Sequence, residues 1–498
     1  MTTPPDTVPS AVPRLGAAIE LNALNPIPES ERHGRPASLF WPWFGANVSV
    51  LGIAYGSFLL GFGVSFWQAV VVGAVGVVVS FLLCGFVSLA GKRGSAPTMA
   101  LSRAAFGVEG NRISAVLSWI LTVGWETVLV ATAVLSTSEV FHLLGWSSGT
   151  AVKVVALVVV VVLVIGAGVY GFSIVMRLQV VITVVTGVLT VVYFALVVGK
   201  VDWHVVSSIP GGGAPAVIGG LVFMMTGFGL GWVNAAADYS RYLPRAASGR
   251  GIVFWTTFGG ALAPVLLVIL GVLLAGSSKA LNKAVGDYSV GGLATIAPHW
   301  FLLPFLVVAA LGLVGGAALD IYSSGLALLA AGVRIPRYAA AGIDGVIMTV
   351  GAAYVVFGAQ SFFGPFQGFL ITLGVPIAAW CGVMLGDIAL RRRDYDEVAL
   401  YDRRGRYGAV NWVAVGLVVV GTAIGWGLVT NSYADWLGWQ GYLLGPLGLG
   451  GKDGQWAFAN LGVLVALVIG LLGTLAGVRR VRRQEAQPDT VPVVGDVL

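Results

Sequence analysis

The chain has 498 residues, of which 57% are hydrophobic and 10% charged, with a net charge of +6; soluble domains carry roughly 25% charged residues. A water-soluble fold of this length could not solvate that composition, so soluble enzymes and scaffolds are excluded. The basic balance would fit a nucleic-acid partner only if the charges formed a patch, and their positions along the chain do not.

Residues 1–40 are polar and Pro-rich with no apolar core of a signal peptide, so they are expected to stay on the chain as a cytoplasmic tail. Twelve apolar stretches follow, at about 41–66, 67–90, 112–139, 152–171, 174–199, 215–240, 252–276, 301–333, 338–357, 362–388, 409–430 and 456–478. Each is long enough to cross a hydrocarbon core ~30 Å thick. If the N-terminus is cytoplasmic and the spans alternate, every arginine and Lys92 fall on the cytoplasmic side, and only Lys153, Lys200, Lys279, Lys283 and Lys452 fall outside. This asymmetry obeys the positive-inside rule for an even number of spans in the plasma membrane with both ends inside. Basicity here reports topology and lipid contact, and no nucleic-acid partner is expected.

Residues 277–300 read as a short helical hairpin outside, a candidate lid. Residues 389–408 read as a charged cytoplasmic linker, 409–478 as two added spans, and 479–498 as a disordered cytoplasmic tail. Cys84 and Cys381 are isolated packing residues. His33, His142, His204 and His299 have no ligand spacing, so neither a metal nor another cofactor is expected. No obligate protein partner is evident.

Glu126 and Asp320 each lie near the middle of a stretch that otherwise carries no charge, 113–135 and 301–333. A charge at the bilayer centre costs roughly 2.5–3.5 kcal/mol on insertion scales, so such acids are usually retained for substrate or ion pathways. Spans one and six are both interrupted by glycine, through Gly45, Gly52, Gly56, Gly61 and Gly63 in the first and Gly227, Gly229 and Gly231 in the sixth. Unwound backbone at membrane depth is tolerated where it lines a cavity, and paired interruptions point to a transporter binding site. If spans 1–5 (41–200) and 6–10 (201–388) are inverted repeats, the third member of each carries Glu126 or Asp320.

Trp125 and Leu129 share one helical face, and Thr122 and Glu126 the next. The indole of Trp125 offers a stacking surface for a flat ring, and Glu126 can accept ring N–H groups or carry a proton. Gly316, Ser323 and Ser324 flank Asp320 at one-turn spacing. Asp320, with Glu126 and Ser324, is a candidate for cation coupling, either as a protonatable acid or as an oxygen ligand for sodium. Asn47, Ser49 and Tyr55 are candidates for polar contacts to substrate, though a helix–helix hydrogen bond explains each as well. Asp238 and Arg241, at the cytoplasmic end of span six, read as a structural or gating pair; at a surface such a pair contributes ~0–1 kcal/mol.

Several segments carry a further signal: NPIPESERHG at 25–34, WFGAN at 43–47, SAPTMALSRAAFG at 95–107, Gly124-Trp125, ADYSRYLP at 237–244 and LDIYSSGL at 319–326. In this order the chain resembles the nucleobase:cation symporter family, in its purine/cytosine permease branch, over roughly residues 20–480. The resemblance implies an all-α polytopic membrane protein with a LeuT-like fold. That fold is twelve transmembrane helices, a 5+5 inverted repeat plus two C-terminal helices, with helices 1 and 6 discontinuous. It further implies that Trp125, Gly229, Gly231 and Trp232 contact a planar nitrogenous ring. Relatives often carry an amide where this chain has Leu129 and an asparagine where it has Asp320. Sodium-coupled relatives carry hydroxyl residues where Gly315 and Gly316 stand, so the sodium site looks dismantled here and a proton is favoured as the coupling cation.

The expectation is an importer of a nucleobase-like planar heterocycle, cytosine or purine favoured, working by proton symport and alternating access. The alternative is a sodium-coupled importer of hydantoin, allantoin or a vitamin-like heterocycle. The chain shows no nucleophile dyad, phosphate loop or metal cluster, so it is not expected to be an enzyme.

Overall fold

The computed structural model describes residue 20 and residues 22–358, 363–431 and 435–490. Regular structure among the described residues is entirely helical. Nine helices there are long and apolar enough to cross a membrane: Phe66–Gly94, Asn111–Leu143, Thr150–Tyr170, Phe172–Lys200, Ala214–Ala235, Gly249–Ser277, His299–Ala330, Arg337–Gly358 and Phe366–Leu390. The first span is a bent pair, Pro36–Asn47 and Leu51–Leu60, meeting at 64°. Trp412–Trp426 and Leu461–Ala476 lie in the last two expected stretches, but with 15 and 16 residues each is short of the ~20 that a perpendicular crossing uses.

Each stretch is helical despite its many β-branched valines, which disfavour helix in water, because backbone groups in lipid must be satisfied internally. The second span starts on a capping box: Gln68 N donates to Ser65 Oγ at 3.3 Å, and Ser65 N donates to Gln68 Oε1 at 3.0 Å. The first span bends at its interruption, and the sixth, which runs as one span over Ala214–Ala235, carries a local break, consistent with the expected interruptions. Val48, at φ −80° and ψ 61°, ends the first helix after Asn47. Phe228, at φ −122° and ψ −111°, separates Ala214–Gly227 from the short helix Gly229–Trp232.

The third span packs extensively along the eighth, which brings the helices of Glu126 and Asp320 together, and the ninth packs against both. The region expected as an outer hairpin folds as two short helices, Lys279–Tyr288 and Val290–Ala294.

The expectation of a disordered C-terminal tail is corrected as far as residue 490. Val478–Ala486 is helical and docked: Gln484 Oε1 accepts from Arg391 Nη2 at 2.8 Å, and Glu485 accepts from the backbone N–H groups of Arg392 and Arg393. Thr490 donates to Asp396 from both its N–H and its hydroxyl, each at 2.9 Å. Segment 389–408 is thereby folded into one end of the bundle, the end where Arg32, Arg93, Arg245 and Arg391 also make their ion pairs. Residues 1–19, 21 and 491–498 of the two tails lie outside the described residues.

Candidate functional site

Glu126 is fully buried and Asp320 is 1% exposed, and neither carboxylate has a hydrogen-bond donor among the described residues. An isolated charge at such a position would be costly. The two acids lie within electrostatic reach of one another. Beside them Trp125 is buried with its Nε1–H also unpartnered. Phe366 and Phe369 of the tenth span meet its ring edge-on, with centroids 5.6 and 6.1 Å away. Four unsatisfied acceptor oxygens therefore lie where the third and eighth spans meet, while on the neighbouring face of the third span the Trp125 ring, with its one unsatisfied donor, turns toward the sixth and tenth spans.

Gly231 belongs to this cluster, because a Cβ there would lie 3.1 Å from Trp125 Nε1. Gly229 does not. Its N–H donates to Ser80 Oγ at 3.1 Å, and a Cβ would come within 2.2 Å of the Ser80 backbone, so it faces the second span. Trp232 is half-buried and meets Trp43 edge-on at 5.8 Å, and Trp43 in turn meets Tyr239 at 5.4 Å. Trp125 and Trp232 thus belong to separate aromatic clusters, one on the tenth span and one on the first.

Leu129 packs against the eighth span, where a Cβ on Gly316 would lie 2.9 Å from its Cδ1 and 3.7 Å from the Ala46 carbonyl. The polar candidates of span one are engaged within the protein. Asn47 Nδ2 donates to Trp43 O at 2.8 Å, Ser49 Oγ accepts from Leu51 N at 3.3 Å, and the Tyr55 hydroxyl donates to Gly227 O at 3.2 Å. Tyr55 therefore clasps the break of the sixth span to the first.

Asp238 and Arg241 are corrected in two respects: both are buried rather than superficial, and they do not bond to each other. Asp238 Oδ1 accepts from the backbone and hydroxyl of Thr98, at 2.7 and 2.8 Å. Arg241 instead reaches the Glu20 carboxylate and the Tyr322 hydroxyl, each at 2.7 Å, and Ala23 O at 2.8 Å. Each finds stronger partners on other elements than its neighbour three residues away.

Three further residues carry weight that the sequence reading did not assign. Glu20 is one. Gln179 of the fifth span is another: its Nε2 donates to Gly315 O at 2.7 Å, while its buried Oε1 has no donor and lies against Gly45. The third is Asp344 of the ninth span, which accepts from Trp119 Nε1 at 2.6 Å and from Ser324 Oγ at 2.8 Å. Asp344 is the one acid in its apolar stretch, the same signal that singled out Glu126 and Asp320, whereas Gln179 shares its stretch with Arg177 and several threonines and had no such mark.

An interrupted first span, a local break in the sixth and buried acids on the third and eighth, in an all-helical membrane bundle, match the LeuT-like fold of membrane transporters. The chain belongs to the permease family for cytosine/purines, uracil, thiamine and allantoin, whose model matches residues 26–445. It is 24% identical to YxlA of Bacillus subtilis over 88% of this chain and 93% of that one. It is 26% identical to the purine-cytosine permease FCY2 of Saccharomyces cerevisiae, over 91% and 87% of the two chains. Among solved structures it resembles Mhp1, a nucleobase-cation-symport-1 family transporter captured closed with bromovinylhydantoin bound. The TM-score is 0.68 at 19% identity, over 93% of this chain and 95% of that one.

Proposed function

We propose that the protein imports a nucleobase-like planar heterocycle, with cytosine or a purine favoured, by proton symport and alternating access. In this reading it sits in the plasma membrane with both termini cytoplasmic, the orientation that places the arginine-bearing end inside. The observation that carries the reading is the set of buried unpaired groups on the third and eighth spans: the carboxylates of Glu126 and Asp320 and, one residue along the third span, the indole N–H of Trp125.

Buried polar groups without partners are rare and call for an explanation. A ring that presents N–H groups along one edge satisfies the carboxylates, and a ring nitrogen or carbonyl satisfies the indole. Cytosine and the purines offer both kinds of group, whereas a ring dominated by carbonyls would leave the acids unmatched. The flat ring packs against Trp125, with Gly231 leaving room beside its Nε1.

Proton coupling is favoured by what stands around Gly315. Neither Gly315 nor Gly316 supplies a hydroxyl, and the Gly315 carbonyl already accepts from the Gln179 amide. A hard cation takes oxygen ligands, and an amide N–H aimed at one of them opposes it. Asp320 and Glu126, with no such competitor, are the groups we assign to proton binding.

Uptake of radiolabelled cytosine and adenine by cells expressing the protein tests this. Accumulation should persist when sodium is replaced by choline, collapse with a protonophore, and fall at least 10-fold in Asp320→Asn. Uptake that requires sodium and ignores the protonophore would sink the proton assignment and favour the hydantoin- or allantoin-type alternative.

A further inference from the structure

Arg112, Trp119 and Glu126 recur every two turns along the third span and so share one face. Trp119 stands between the central acid and the arginine-bearing end, and its indole N–H holds Asp344. Asp344 is fully buried and lies two turns into the ninth span from Arg337. Its second oxygen accepts from Ser324, one turn beyond Asp320 toward the same end. Ser324 also lies beside Glu126, whose carboxylate has no donor of its own and is within electrostatic reach of Asp344. Ser324 and Asp344 are therefore hydrogen-bonded neighbours, and Glu126 stands next to Ser324 with its carboxylate unpaired, so the order toward the arginine-bearing end is Glu126, Ser324, Asp344.

We propose that Asp344 is the exit group of a proton relay that runs from Glu126 through the Ser324 hydroxyl, an inference that rests on the proton-coupled reading above. A hydroxyl both accepts and donates, so a protonated Glu126 passes its proton to Ser324 Oγ as the Ser324 proton moves to Asp344 Oδ2. Glu126 is left as a carboxylate, Ser324 is unchanged and Asp344 is a neutral acid, so charge and protons balance. Asp344 then releases the proton at the arginine-bearing end.

The groups facing Asp344 are consistent with this direction. The third span presents Glu126 and the donor Trp119, and the eighth presents Asp320 and Ser324. The fourth span packs against the ninth through Ile165 at Gly345, and its single charged residue, Lys153, stands at the opposite end. On its own helix the nearest cation, Arg337, is spent on the carbonyls of Gly168 and Val169, at 2.7 and 2.8 Å. No salt bridge reaches Asp344 among the described residues.

The test uses the full chain in proteoliposomes with a trapped pH-sensitive dye, and as probe whichever of cytosine or adenine the wild type accumulates. Asp344→Asn keeps an acceptor for Trp119 but cannot carry the proton onward, and Ser324→Ala cuts the relay while leaving every carboxylate in place. Both variants should bind the probe within 2-fold of wild type and still exchange it across the membrane. Both should lose at least 10-fold in gradient-driven accumulation and in substrate-dependent proton entry. Wild-type pH dependence in both variants would overturn the relay, as would equal loss of binding, exchange and accumulation in Ser324→Ala. If Asp344→Asn does not fold, Ser324→Ala decides. A wild type that accumulates probe without any proton entry would refute proton coupling itself, an outcome distinct from failure of the relay.

Discussion

Glu20 Oε1 lies 2.7 Å from Arg241 Nη2, in an ion pair whose arginine is fully buried and whose glutamate side chain is 9% exposed. The same carboxylate accepts from the Tyr242 hydroxyl at 2.9 Å and the Tyr322 hydroxyl at 3.2 Å, and its other oxygen accepts from Phe172 N at 2.9 Å. One residue ahead of the first span therefore ties the end of the sixth span to the eighth and to the junction of the fourth and fifth. Under the alternating access proposed above such elements separate at this end, and Glu20 would then serve as a latch. Removing one partner of a buried pair typically costs 3–5 kcal/mol. Glu20→Gln, which keeps an acceptor oxygen, should cost about 3 kcal/mol of stability and increase labelling of a cysteine introduced at Ser323. Unchanged melting and labelling would show that the latch does not hold this end.

The latch also carries a pH signature. Burial alone would raise the Glu20 pKa, but Arg241, Arg337 and the hydrogen bonds from Phe172 and Tyr242 together hold it below the ordinary carboxylate range. A group whose folded pKa is depressed stabilises the fold above its unfolded value, and that contribution is lost as pH falls through the folded value. Thermal stability should therefore be independent of Glu20 ionisation from neutral pH down to about 4.3 and decline only below it. The decline should be shallower in Glu20→Gln. A Glu20-dependent transition between pH 6 and 8 would contradict the assignment.

The two sixth-span glycines should respond differently to the same change. A methyl at Gly229 would meet Ser80 and Phe81 backbone at 2.2–2.4 Å, which cannot yield, so Gly229→Ala should abolish folding or surface expression. A methyl at Gly231 meets the indole nitrogen of Trp125 at 3.1 Å, a contact that a small ring shift relieves. Gly231→Ala should fold and reach the membrane, yet raise KM for uptake several-fold. Equal expression of both variants with equal KM would remove Gly231 from the site.

What could be read before the structure was known divides along physical lines. Spans, breaks and the central acids were legible because a charge or a glycine cluster in a lipid-facing sequence is a local anomaly. Asp344 was legible by the same rule, as the one acid in its apolar stretch, but its role depends on Trp119 and Ser324, which are 225 and 20 residues away in the chain. The Asp238–Arg241 spacing suggested a local pair, yet the strong partners are Thr98 and Glu20, contributed by other segments. Gly229 and Gly231 look alike in sequence and differ only in which neighbouring helix each one faces.

Asp238 offers a test of satisfied burial. Both donors from Thr98 converge on Oδ1, so Asp238→Asn keeps the acceptor and should change stability by under about 1 kcal/mol. Asp238→Ala strands a buried backbone N–H and a hydroxyl, each costing about 1–3 kcal/mol. Chemical denaturation of the detergent-solubilised protein would distinguish the two, and equal effects would mean that the carboxylate's charge, not its acceptor, is what matters.

The last prediction concerns Gln179. Its amide donates to Gly315 O where the fifth span meets the first and eighth, and Gln179→Leu leaves that buried carbonyl without its donor, at about 1–3 kcal/mol. If the amide stands where a cation would otherwise be bound, sodium should not stabilise the wild type. A site occupied at a hundred times its Kd would add about 2.7 kcal/mol, a shift visible in a melting curve. Exchange of choline for sodium should therefore leave the wild-type Tm unchanged, while cytosine or adenine raises it. A sodium-dependent rise in wild type that disappears in Gln179→Leu would instead make the unpaired Oε1 of Gln179 a cation ligand and return the coupling ion to sodium.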